Sequence, residues 1–257
     1  MNNKFRLYAV LLILSVATLT LEVVQLRIFA YSLMRSLAHI IISIALLGSG
    51  IGSINIAIFP RLNKIKEEKL LAYLLFGFSI SVMATHLAFS YFFEQINQGY
   101  DFPRLWLFSI IFSIPYVFFG AALAFIFKKY IEDVPKLYSI NLIGSGVGCL
   151  IALVALRPLG AEKLVMLISL TGAAGALFYA GHLSKKGIAA AVIYTMALVA
   201  GIQYSETLLE FKSKPHGGLS QMAKAAAVKR EFSRWDPLGR IEVYSFSDKY
   251  SYMYMPD

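Results

Sequence analysis

Cysteine is nearly absent: Cys149 is the single one, so no disulfide framework exists and the redox compartment stays unmarked. Charge is also scarce, at 15% of 257 residues, against 58% apolar side chains. A soluble domain carries about 25% charged residues, so the chain is too apolar for a water-soluble globule. Four histidines, spread along the chain, form no metal-ligand spacing with the lone cysteine, and no metal or cofactor site is expected. What is present instead is long apolar runs. A helix crossing a bilayer needs roughly 20 apolar residues, and seven stretches qualify: 6–31, 38–59, 70–93, 104–127, 137–156, 162–181 and 187–204.

The expected fold is therefore an all-α polytopic membrane protein of about seven helices over residues 1–204. A linker over 205–219 follows, then a short α/β soluble tail over 220–257. The charged start at Lys4 and Arg6 imitates a signal peptide. The apolar run, however, continues past Leu19 to Ala30 without a clear small-residue cleavage site, which favours a first spanning helix.

The excess of basic residues, net +9, does not mark a nucleic-acid binder, because they sit in the short loops. The side shared with the N-terminus holds Lys4, Arg6, Arg61, Lys64, Lys66, Lys69, Lys128, Lys129, Lys136, Lys185 and Lys186. The opposite side holds Arg27, Arg35, Arg104, Arg157 and Lys163. By the positive-inside rule the N-terminus faces the cytoplasm of a prokaryotic inner membrane and a seventh span leaves the tail outside. The tail's own Lys212, Lys214 and Lys224 weigh against that orientation.

Two glycine-rich runs resemble each other, 47–53 (LGSGIGS) in the second span and 143–149 (IGSGVGC) in the fifth. Each leads to an arginine, Arg61 or Arg157, and then to Glu-Lys-Leu. Spans two and five point in opposite directions, as a 3+3 inverted repeat plus one extra helix requires, a transporter-like plan. Small residues recurring for packing alone would look the same. A nucleotide loop is the weaker reading, since it needs a strand before the glycines and apolar helix lies on both sides. Gly48 with Gly52, and Gly144 with Gly148, are spaced i to i+4 and make smooth faces for helix packing.

Polar residues inside the spans are costly and draw attention. Glu22 and Gln25 share a face of the first span, with Arg27 off that face; Asn55, His86 and Asn141 complete the set. Glu22, Gln25, Asn141 and His86 are the candidate substrate contacts. The structural alternatives are interhelical hydrogen bonds for the asparagines, a packed histidine at 86 and an interfacial carboxylate at 22. In the tail, Ser220 is placed to cap a basic helix reaching about Arg234. Residues 241–246 then alternate as a strand, 247–249 turn, and Tyr250, Tyr252 and Tyr254 line a second strand. A lone hairpin is marginal in water, so the chain is cut short or another polypeptide completes the sheet.

The segment Glu22-Val23-Val24-Gln25-Leu26-Arg27 resembles the first membrane helix of the spermidine synthase-like proteins with an N-terminal multi-span domain. The run 47–53 resembles that family's second helix. Tyr138, Asn141 and Gly144, followed by Pro158 and Gly160, resemble its Tyr-x-x-Asn-x-x-Gly and Pro-x-Gly pattern. Residues 235–243, with Pro237, Gly239 and Arg240, resemble the opening of its synthase-like domain. Gln25 departs from the aromatic residue expected there. The resemblance implies a membrane domain that anchors or serves an aminopropyltransferase-like module, in cis or in trans, and handles polyamine-like substrate. That family's catalytic half binds decarboxylated S-adenosylmethionine, a cytosolic cofactor that implies the tail is inside. No catalytic residue of that half lies in this sequence, and no cofactor is expected in this chain. The alternative is a stand-alone secondary transporter for a small cationic solute. Partners are the lipid bilayer and the synthase-like module, a homo-oligomer is allowed, and nucleic acid is not expected.

Overall fold

A computed structural model describes residues 3–32, 40–59, 65–96, 102–179, 181, 183–211 and 228–246. Its helices are α1 (Asn3–Ser32), α2 (Ile40–Ile58), α3 (Glu67–Ile96), α4 (Phe102–Lys129), α5 (Val134–Phe178), α6 (Lys185–Ile202) and the single turn α7 (Ser205–Leu208). Two strands, β1 (Val228–Asp236) and β2 (Gly239–Phe246), close an antiparallel hairpin. Among the described residues six helices are long and apolar enough to cross a membrane, where the sequence suggested seven separate ones.

The difference lies in α5, which is two helical limbs joined at the non-helical residue Gly160, where the chain reverses direction. Pro158 lacks the donor an ongoing helix needs, and Gly160 adopts φ 79°, ψ 164°, a conformation open to glycine and strained for other residues. Both ends of α5 meet the start of α1. Lys136 lies over the Tyr8 ring at 4.6 Å and Arg6 over the Phe178 ring at 5.5 Å. Beside the reversal, Glu162 binds Trp235, whose ring meets Tyr31 at the far end of α1 at 5.4 Å. The limbs 134–159 and 161–178 thus carry the fifth and sixth apolar segments of the sequence.

Lipid tails are as apolar as leucine, so such a bundle is held by close packing and hydrogen bonds and not by escape from water. Glycines supply the approach. A side chain at Gly144 or Gly148 would run into the α1 backbone at Leu12 and Val16; one at Gly48 or Gly52 would run into α4 at Ser113 and Val117. Hydroxyls supply the bonds: Ser15 donates to Asn141 Oδ1 at 2.8 Å, and Thr20 to the Gly148 carbonyl at 3.0 Å. The second limb of α5 packs on α3, where Ser169 Oγ donates to the Ser79 carbonyl at 2.9 Å, and α6 joins them through the Tyr194 hydroxyl, 2.9 Å from Ser169 Oγ. Aromatic rings of Phe29, Phe89 and Phe112 pack at 4.9 to 5.5 Å where α1, α3 and α4 meet. Outward positions such as Leu46, Ile143, Leu150, Val154, Ile193 and Met196 are exposed and apolar, the surface a bilayer would cover.

One end of the bundle gathers the starts of α1, α3 and α6 with both ends of α5 and the end of α4. It is rich in lysine and tied by Lys4–Asp133 and Lys129–Glu67 ion pairs, each 2.7 Å. There the Tyr130 phenol donates to Glu67 at 2.7 Å, and burial, then that carboxylate, hold its pKa above the ordinary value. The hairpin sits at the opposite end.

Two expectations for the tail change. Residues 228–234, expected to end a basic helix, form β1 instead, because Trp235 is anchored on the bundle and cross-strand pairing outweighs local helix preference. β2 pairs back onto β1 through a turn at Pro237–Leu238, between Asp236 and Gly239, and the expected turn at 247–249 lies outside the described residues. Residues 205–211, assigned to a linker, pack on the bundle with Ser205, Leu209 and Phe211 buried. The rest of the expected linker and basic helix, residues 212–227, lies outside the described residues, as do Arg61 and the strand of Tyr250, Tyr252 and Tyr254.

Candidate docking site

The reversal of α5 brings Glu162 to the hairpin end with its side chain 5% exposed. An acid so placed must find donors or neutralise. Trp235 Nε1 donates to Oε2 at 2.8 Å, and Arg240 Nη1 donates to Oε1 at 3.3 Å. Arg240 also donates to the Phe211 carbonyl at 3.2 Å and to Ser233 Oγ at 2.8 Å, and approaches Glu242 at 3.4 Å. Its guanidinium lies 5.4 Å from the Tyr31 and Trp235 ring centres, within cation–π range of both. One arginine thus ties α1, α5, the segment after α7 and both strands.

Local chemistry explains why this knot forms here. The Pro237–Leu238 turn sets Trp235 opposite Arg240 in the hairpin register. Gly160 leaves room for them: a Cβ there would lie 3.1 Å from Glu162 Oε2 and 3.2 Å from Trp235 Cδ1. Around the knot a polar cavity of about 240 Å³ is walled by Arg157, Lys163, Glu206 and Arg234 among others, with Lys163 and Glu206 3.8 Å apart.

The sequence candidates inside the spans fall into two places. Gln25 is fully buried and accepts from the Tyr116 hydroxyl at 2.6 Å, joining α1 to α4. Glu22 is half-buried and within electrostatic reach of Tyr116. His86 is also fully buried: its Nδ1 lies 2.7 Å from the Val82 carbonyl and 3.3 Å from Thr85, and its ring packs on Phe112. Asn141 is elsewhere. It bonds Ser15, seven residues before Glu22 along α1, or about 10 Å at 1.5 Å per residue. Asn141 and Glu22 therefore do not form one pocket.

The motif residues also separate. Pro158 and Gly160 make the reversal, Pro237 and Gly239 the hairpin turn, and Arg240 reaches Glu162. Tyr138 faces outward at 56% exposure, and the Arg27 Nε is buried without a hydrogen-bond partner among the described residues. Sequence reasoning missed Tyr116, Tyr31 and the role of Glu162. The last had one signal, a carboxylate two residues beyond a Pro-x-Gly break at the edge of an apolar run. Among the described residues no group of His, Cys, Asp and Glu is placed to hold a metal. No family model, no curated protein and no solved structure matches this chain.

Proposed function

We propose that this chain is the membrane domain of a spermidine synthase-like protein of the prokaryotic inner membrane, and that it holds a synthase-like module at a fixed place on the end of the bundle opposite Lys4. The observation that carries the reading is the Glu162 knot. A two-stranded hairpin alone is marginal in water, yet this one buries Trp235 at 4% exposure and commits an arginine to a buried carboxylate of the bundle. Such an attachment fits a sheet that continues into a larger soluble unit better than it fits a free tail. The motif resemblance supports the identity of that unit and suggests polyamine-like substrate.

The lysine-rich end favours an N-terminus in the cytoplasm, which sets the docked module on the far side. The family's cytosolic cofactor argues for the other orientation, and labelling of a cysteine placed on the hairpin in sealed cells reads which side it occupies. Co-expression of the synthase-like module encoded beyond or beside this segment should bring that module down with the wild-type chain in detergent. Arg240→Ala should lose it. A module that stays in the soluble fraction with the wild-type chain, or the lack of any such module in the gene neighbourhood, refutes the reading.

A further inference from the structure

The two glycine faces do more than pack. Gly48 lies over the Ser113 carbonyl and the Tyr116 Cβ, and Gly52 over the Val117 carbonyl. Gly144 lies over the Leu12 carbonyl and the Ser15 Cβ, and Gly148 over the Val16 carbonyl. In each pair the first glycine meets one carbonyl and the β-carbon three residues on, and the second meets the carbonyl four residues on. The same joint is built twice, α2 on α4 and the first limb of α5 on α1. The copies are inverted: α1 starts at the lysine-rich end, where Lys4 pairs with Asp133, whereas α4 finishes there at Lys129.

Exchange of the copies sends α3 onto the second limb of α5, and the contact between those two is its own mirror. Ser79 Oγ donates to the Ser169 carbonyl, Ser169 Oγ donates to the Ser79 carbonyl at 2.9 Å, and the hydroxyls are 3.0 Å apart. Reciprocal bonds of this kind are what a pseudo-two-fold relation between the copies would place at their contact. The axis of that relation separates two units, α1 with α5 and α4 with α2 and α3. Inside each unit backbones touch through glycine. Across the axis α1 and α4 meet through side chains: Phe29 on Phe112 at 4.9 Å, and Gln25 on Tyr116. The Gln25 Nε2, fully buried in that seam, has no partner among the described residues, and Glu22 stands one turn away.

The geometry points to an alternating-access carrier: the two units rock about the Ser79–Ser169 clasp, and the α1/α4 seam they open passes a small organic ammonium ion. Inverted repeats with a site at the repeat interface work in this way. Glu22 supplies the counter-charge, the Phe29 and Phe112 faces suit a cation, and the Gln25 amide completes the site. Turned over, that amide donates to the Tyr116 oxygen and offers its own oxygen to the ion, so the group that is unpaired in the closed seam is used when the seam is filled. This inference stands apart from hairpin docking, and either holds without the other.

Two measurements on the full chain in liposomes decide it. Labelled methylammonium and choline should enter loaded vesicles faster than protein-free ones, and Glu22→Gln should cut uptake of the preferred probe at least ten-fold at unchanged melting temperature. In a Cys149→Ser background, spin labels at the outward Ile54 and Leu150, one on each unit, should show two distances whose populations shift when the probe is added. Labels at Ile13 and Leu150, within one unit, should show one distance that does not move. Uptake of neither probe, full uptake by Glu22→Gln, or a single unmoved distance between the units overturns the proposal.

Discussion

Replacing Arg240 by alanine tests the docking knot most sharply, because it leaves Glu162 in place with its charge. Both side chains are largely buried, at 13% and 5% exposure, and removing one partner of a buried ion pair costs about 3 to 5 kcal/mol. The 3.3 Å bond is at the long end of hydrogen-bond range, so the lower bound of about 3 kcal/mol applies. At about 1.4 kcal/mol per factor of ten, the hairpin should open roughly a hundred times more often. Amide exchange over 228–246 reads that equilibrium when reclosing is fast, and protection should fall by about two orders of magnitude. Glu162→Gln can keep the Trp235 bond through its single amide oxygen, but its NH2 then faces the Arg240 donor, so the Arg240 bond is lost with the charge, a cost of about 1.5 to 3 kcal/mol. The double variant carries the informative sign. If the cost of Arg240→Ala lies in the stranded carboxylate, adding Glu162→Gln should restore part of the protection. Protection in Arg240→Ala within three-fold of wild type, or additive losses in the double variant, would refute this account of the knot.

Other substitutions reach separate parts of the structure. Gly148→Leu, which drives a branched side chain into the Val16 backbone, should lower the melting temperature in detergent far more than Leu150→Ala, which trims an exposed group; equal melting would show that this face makes no contact. Gly160→Ala must adopt a backbone conformation that is essentially confined to glycine and crowd Trp235, for a cost of about 1 to 3 kcal/mol, visible as reduced stability with a looser hairpin in the same exchange experiment. Tyr116→Phe strips Gln25 of its one hydrogen-bond partner among the described residues and should cost about 1 to 3 kcal/mol, whereas an unchanged unfolding profile would mean that the α1–α4 seam is wet enough to supply a substitute.

The helices could be read from the sequence because length and apolarity alone identify an element that must satisfy its backbone inside a bilayer. The break at Pro158-x-Gly160 was equally legible as the end of one apolar run, and Gly160 leaves the helical conformation there. The docking site was not. Glu162 looks like an ordinary carboxylate at headgroup level, and its partners lie 73 and 78 residues away, a separation that no local pattern encodes. The tail was misread for a related reason. Its Lys, Ala, Arg and Glu content favours helix, but the conformation of 228–236 is set by pairing with β2 and by the burial of Trp235. Of the intramembrane polar residues, Glu22 and Gln25 belong to one seam, as their i, i+3 spacing suggested. Asn141, which both its depth in a span and the family-like motif single out, faces Ser15 instead.

The central claim is that the hairpin belongs to the end of the bundle through Glu162, not through the chain that leads to it. A protease site introduced within residues 212–227 allows that chain to be cut in the folded protein, after which size exclusion in detergent separates bound from free fragment. The cut hairpin should elute with the bundle in the wild-type background and separate from it in Arg240→Ala. A hairpin that leaves the wild-type bundle once the connection is cut would contradict the account.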